Sequence, residues 1–134
     1  MKTVLLVEDE PINVVVFSKI LTKRGGLTVK HTENVAEVMK IAQSGEADII
    51  LMDVCLPNSY HQGKGVDGIQ ITQMLKANPQ TAKVPVILVT ANAWEGEGGN
   101  LIDRSGADGF IPKPIIDHQK FVAQVLAKLP VESH

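Results

Sequence analysis

The stretch Ala47–Gly68, ADIILMDVCLPNSYHQGKGVDG, decides the fold. Ile49 to Met52, with Ala47 just before them, form an apolar run of strand length. An unbroken run of this kind fits a β-strand covered on both faces. It ends on a carboxylate, Asp53, and a long loop holding Gly63, Gly65 and Gly68 follows. A buried strand that stops at an acid, with a glycine-rich loop behind it, is what the rest of the chain must explain.

Outward from this stretch, short apolar runs alternate with helical patterns. TVLLVE (Thr3 to Glu8) reads as a buried strand. Pro11 suits the first turn of a helix, on which Val14, Phe17 and Leu21 recur with Val16 and Ile20 beside them. Gly25 and Gly26 stop it. LTVKHT is a weaker, alternating strand, expected near an edge. Asn34 is placed to cap a helix with Val35, Val38, Met39 and Ala42 on one face and Gly45 after it. Asp67 is placed to cap a helix carrying Ile71, Met74 and Leu75 that ends before Pro79. VPVILVT is a strand. A weak helix over about 93–104 is interrupted by Gly96, Gly98 and Gly99. DGFIP is a short strand, and a last helix from about Ile116 to Leu129 carries Phe121, Val122, Val125, Leu126 and Leu129. Such β–α alternation implies a parallel sheet with helices on both faces.

Composition narrows the class. A chain of 134 residues has the usual size of one domain, and 44% apolar residues suffice for a core. No apolar run approaches the roughly 20 residues that cross a bilayer. MKTVLLVEDEP meets an acid too early for a signal peptide. A net charge of −2 without a basic cluster argues against nucleic acid or anionic membrane as direct partners. Cys55 is the one cysteine, so no intramolecular disulfide can form. The expectation is a soluble, cytoplasmic single domain over residues 1–134 with no output module.

In open parallel sheets, ligands bind beyond the C-terminal ends of the strands. Those ends carry Glu8 and Asp9, then Asp53, then Thr90, then Lys113 followed by Pro114. Taken singly, each has a plainer role. Acids favour a helix N-terminus, Asp ends strands, Thr enters helices, and most lysines are surface residues. Taken together, three carboxylates on one rim repel one another and call for a cation. An all-oxygen donor set suits Mg²⁺ rather than Zn²⁺, with Mn²⁺ as the alternative ion. One carboxylate is then free to act as a nucleophile, as in aspartyl-phosphate chemistry. A lysine offsets incoming charge, and a hydroxyl can donate to a phosphoryl oxygen.

VLLVEDEPIN, ADIILMDVCLP, PVILVTANA and GADGFIPKP, in this order, resemble the four signature blocks of response-regulator receiver domains of two-component signalling. The resemblance spans essentially the whole chain. It implies a flavodoxin-like, doubly wound five-stranded parallel sheet of order 2-1-3-4-5. By the same resemblance Asp53 would accept the phosphoryl group. Glu8 and Asp9 would hold Mg²⁺ together with Asp53, as a Glu-Asp pair where many members have Asp-Asp. Cys55 would give the metal its backbone carbonyl. Thr90 would be the switch hydroxyl, and Lys113 would pair with the phosphate ahead of a cis bond to Pro114. Phe110 stands at the switch aromatic position, where many members have Tyr. The implied partners are a histidine kinase or histidine phosphotransfer protein and a downstream protein target, met through the face of the fourth helix, fifth strand and fifth helix. The glycines within 96–99 predict a frayed fourth helix, and Trp94 at its start is a candidate contact.

Gly63, Gly65 and Gly68 also spell G-x-G-x-x-G, a dinucleotide-site pattern. The context argues against that reading. The motif should follow directly on a strand, yet residues 54–62 intervene, and the acid expected about 20 residues on falls in an apolar strand. Relative to the family, the loop carries an insertion at about 58–66, either a tolerated surface loop or a partner-contact element carrying Tyr60, His61 and Lys64. Two other functional classes fit parts of this pattern. A hydrolase with Asp53 as transient nucleophile would need an acid/base two residues on, where Cys55 is poorly suited. A pseudo-receiver would bind partners without phosphorylation. The expectation is a phospho-switch that catalyses only its own phosphorylation and dephosphorylation, and not an enzyme.

Overall fold

The structure is a computed structural model that describes residues 2–54, 56, 60–61, 63–90, 102–112 and 117–129. Its elements are β1 (Thr3–Val7), α1 (Pro11–Gly25), β2 (Thr28–His31), α2 (Val35–Ser44) and β3 (Ile49–Asp53). A small hairpin, β4 (Tyr60–His61) and β5 (Lys64–Gly65), precedes α3 (Gly68–Ala77) and β6 (Val86–Thr90). Residues 102–105 are helical and are labelled α4. β7 (Gly109–Pro112) and α5 (His118–Lys128) complete the order.

β2, β1, β3, β6 and β7 form one sheet in that spatial order, and every pairing in it is parallel. With the hairpin strands left out of the numbering this is the 2-1-3-4-5 order of the flavodoxin-like fold. Strand side chains alternate between faces, and the core divides accordingly. Leu5, Val7, Ile50, Met52, Val86 and Leu88 pack with α2 and α3. Val4, Leu6, Ile49, Leu51, Ile87 and Val89 pack with α1 and α5. Phe17 of α1 and Phe121 of α5 meet with ring centroids 5.5 Å apart, joining the two helices on that face. β3 and β6 are buried throughout, which is why they read as unbroken apolar runs, whereas β2 is largely exposed at the edge.

Local chemistry sets the helix limits. Asn34 Oδ1 accepts from Glu37 N (3.0 Å), Asp67 and Gln70 form a reciprocal capping box, and Asp117 Oδ1 accepts from Lys120 N (2.9 Å). Asp117 therefore starts α5 at His118, two residues later than the apolar pattern suggested. Gly26 and Gly45 close α1 and α2. Four side chains differ from the helical stripes read in the sequence. Val16 and Leu126 are exposed, because their helices turn other residues to the sheet, and Ile41 is buried where Met39 is only partly so. Of the weak helix expected over 93–104, only 102–104 fall among the described residues; Trp94 and the glycines of 96–99 lie outside them. No helix among the described residues is long and apolar enough to cross a membrane.

Candidate functional site

The sheet register brings the acids together. Val4 to Val7 pair with Ile49 to Met52, so one step further along the same register Glu8 stands opposite Asp53. Asp9 follows directly. One carboxylate oxygen from each of Glu8, Asp9 and Asp53 lies within 4.8 Å of the others. Glu8 (0% exposed) and Asp53 (3%) are buried and Asp9 is half-buried, so solvent screens the cluster poorly. At an effective dielectric of about 20, two unit charges at such a separation repel by roughly 3–4 kcal/mol. Three oxygen donors of this kind fit a hard divalent cation such as Mg²⁺.

Asp53 is held from its own strand and from the loop beyond. It pairs with Val89 of β6, and Val54 N donates to Val89 O (3.0 Å). Gly68 N donates to Val54 O (2.9 Å), pulling the first turn of α3 against the end of β3. That approach leaves no room for a side chain. A Cβ on Gly68 would overlap the Asp53 carbonyl oxygen and lie 2.8 Å from the carbonyl carbon and 2.9 Å from Met52 Cγ. The last glycine of the G-x-G-x-x-G string thus serves the close packing of α3 on Asp53. Gly63 serves the hairpin, where its φ of +81° suits a residue without Cβ. The inserted loop is therefore partly built: Tyr60–His61 and Lys64–Gly65 pair antiparallel, and β4 runs beside α2.

Thr90 ends β6, buried at 4% exposure, and pairs with Pro112 of β7. Lys113 is the next residue in the chain after Pro112. Phe110 is half-buried and packs against the core cluster on the α2–α3 side. Cys55, Lys113 and Pro114 lie outside the described residues. One neighbour of the site was not singled out in the sequence. His31, the last residue of β2, places Nε2 2.6 Å from Glu8 O. Its only sequence signal is its position at the end of the strand beside β1.

This chain belongs to the response regulator receiver domain family, whose family model matches residues 4–126. It is a receiver domain of two-component signalling, and its site sits on the rim where strands β1, β3 and β6 end. Among curated relatives it is similar to the polar-differentiation response regulator DivK of Brucella anthropi, 34% identical over 114 residues and 85% of each chain. Among solved structures it is similar to the receiver domain of the sensor histidine kinase PA1611 from Pseudomonas aeruginosa PAO1, which holds a magnesium ion in its active-site cleft. That match has a TM-score of 0.75, 27% identity and 96% coverage of both chains. The chemotaxis protein CheY4 of Vibrio cholerae shares the fold at a TM-score of 0.77 and 21% identity, over 96% of this chain and 99% of that one.

Proposed function

We propose that this domain is a phospho-switch. Asp53 accepts a phosphoryl group from the phosphohistidine of a histidine kinase or histidine phosphotransfer protein, and the phosphorylated form signals through protein contacts in the cytoplasm. The observation that carries this reading is the convergence of Glu8, Asp9 and Asp53 on one rim, two of them buried. The magnesium site named for the PA1611 receiver supports Mg²⁺ as the ion, with Mn²⁺ as a substitute.

The chemistry follows from the side chains. An oxygen of the Asp53 carboxylate attacks phosphorus, the P–N bond to the donor imidazole breaks, and the imidazole leaves with a proton. Glu8 and Asp9, with the backbone carbonyl of Cys55, would hold Mg²⁺, which offsets charge on the transferring group. Lys113 pairs with a phosphoryl oxygen, and Thr90 donates its hydroxyl proton to another. The product carries about −1.5 to −2 of added charge at the rim. Thr90 and Phe110 then shift, and the population moves toward a second state of the face built by α4, β7 and α5. Phe110 has no hydroxyl, so its part is a rotation of the ring against its apolar neighbours. Water later attacks phosphorus and returns Asp53. The domain promotes its own modification and its loss, and turns over no other substrate.

An apolar surface beside the rim supports a protein donor. Ile12 (73% exposed), Val15 (52%) and Val16 line a shallow groove with Pro11 on α1, which begins two residues after Asp9. Exposed apolar patches of this kind mark protein-binding surfaces.

Intact-mass measurement after incubation with acetyl phosphate and Mg²⁺ tests the reading. One added phosphoryl group is expected for the wild type, and none without Mg²⁺ or in Asp53→Asn. No adduct on a protein that still binds Mg²⁺, beside a receiver that is labelled, would favour a kinase-only receiver or a pseudo-receiver.

A further inference from the structure

β2 feeds its N–H groups to β1 at every second residue. Thr28 N donates to Lys2 O (2.9 Å) and Thr32 N to Leu6 O (3.2 Å). The next rung of this parallel ladder would run from Asn34 N to Glu8 O. That donor goes elsewhere. Asn34 N donates to Thr32 Oγ1 (3.0 Å), its side chain caps Glu37 N (3.0 Å) and its carbonyl accepts from Val38 N (3.0 Å), so Asn34 is committed to starting α2. His31 takes the place of the missing rung, its Nε2 lying 2.6 Å from Glu8 O. A carbonyl oxygen only accepts, so Nε2 carries the proton.

The carbonyl that His31 grips belongs to the peptide joining Glu8 to Asp9. The tilt of that peptide plane sets the direction of both side chains. Glu8 Oε1 also accepts from Glu10 N (3.3 Å), so the turn after β1 is tied down at two points. Both side chains must aim correctly, because their oxygens and one from Asp53 come within 4.8 Å of one another. We propose that His31 is a positioning residue of the cation site: its Nε2–H holds the Glu8–Asp9 peptide in the orientation that converges the two carboxylates on Asp53. This inference rests on the reading of that cluster as a divalent-cation site and names the side chain that arranges it. Outer groups that orient ligands commonly govern metal affinity by about 10–100-fold.

His31 is exposed on the outer strand, so its replacement leaves the apolar core untouched. The test uses the full chain as wild type, His31→Ala and His31→Gln. Glutamine keeps an N–H donor near the place of Nε2; alanine does not. Mg²⁺ and Mn²⁺ affinities are measured by calorimetry, and acetyl phosphate labelling is followed across Mg²⁺ concentrations. His31→Ala is expected to weaken cation binding about tenfold and to raise the half-saturating Mg²⁺ for labelling by the same factor. The labelling rate at saturating Mg²⁺ is expected to stay unchanged, and His31→Gln to restore most of the affinity. Equal affinities in wild type and His31→Ala would overturn the proposal while leaving the cation site standing. So would a glutamine variant as weak as alanine, or a loss of rate that saturating Mg²⁺ fails to restore. A wild type that binds neither ion would overturn the reading of the Glu8–Asp9–Asp53 cluster itself, and the role of His31 with it.

Discussion

Asp53 works in a pocket built by backbone as much as by side chains. Its strand ends where Gly68 lets α3 close on its carbonyl, so Asp53 sits at a seam between a strand end and a helix start. Gly68→Ala puts a methyl group into that seam. Overpacking of this kind costs about 1–3 kcal/mol. The expected result is a melting temperature lower by several degrees, with slower acetyl phosphate labelling because Asp53 is pushed off its place. Melting and labelling equal to the wild type would show that the seam can open without strain. Glu8 illustrates the converse: a fully buried acid keeps a hydrogen-bond donor in the turn that follows it, Glu10 N to Oε1 (3.3 Å).

At the scale of elements, α1 is the outlier. Its apolar residues face both ways: Phe17, Ile20 and Leu21 into the core, Ile12, Val15 and Val16 into solvent. A helix needs one stripe to hold it on a sheet, and here the second stripe is left to solvent. Ile12→Ser with Val15→Ser is expected to leave the melting temperature near that of the wild type, because exposed sites contribute little to stability. Labelling by acetyl phosphate is expected to be unchanged. Phosphotransfer from a histidine kinase able to label the wild type is expected to fall about tenfold, the loss of about 1.4 kcal/mol of binding free energy. Equal transfer by the double variant would remove α1 from the donor interface. The hairpin β4–β5 is a second local addition. Two strands alone are marginal in water, and this pair runs beside α2.

At the scale of the whole molecule, stability is concentrated in the middle of the sheet. β1, β3 and β6 bury nearly every side chain, while β2 at one edge exposes most of its own. Lys76 ties the outer part together: Nζ donates to Ala82 O (3.1 Å), Val84 O (2.9 Å) and Asp108 Oδ2 (2.9 Å), and Asp108 also accepts from Val86 N (2.8 Å). Amide exchange followed by mass spectrometry is expected to be slowest across Val4–Val7, Ile49–Met52 and Val86–Val89, and clearly faster in β2. Protection of β2 equal to that of β3 would contradict this gradient. The acidic cluster stands at the C-terminal ends of these buried strands, on the rim of the sheet.

The fold was legible in the sequence because burial on both faces writes an unbroken apolar run. Ile49–Met52 and Val86–Val89 announced central parallel strands, and the mixed Thr28–His31 announced an edge. Asn34 and Asp67 announced their helices because capping is chemistry within four residues of chain. The acids and Thr90 were legible as strand-end residues, since a parallel sheet gathers those ends on one rim. Other features needed the tertiary structure. The start of α5 at Asp117 was missed because an apolar pattern fixes a face better than an end. The exposure of Val16 and Leu126 depended on how each helix lies on the sheet, which hydrophobicity alone does not encode. The grip of His31 on Glu8 O joins residues 23 apart in the chain. It exists because Asn34 leaves the ladder to cap α2, and the fit of Gly68 against Asp53 exists because α3 closes on the end of β3. Sequence by itself determined which strands would be buried and which strand ends would bring the acids together, through local pattern and solvation. Only the packing of distant segments decided which atoms hold those groups in place, because such contacts depend on positions in space that no local pattern records.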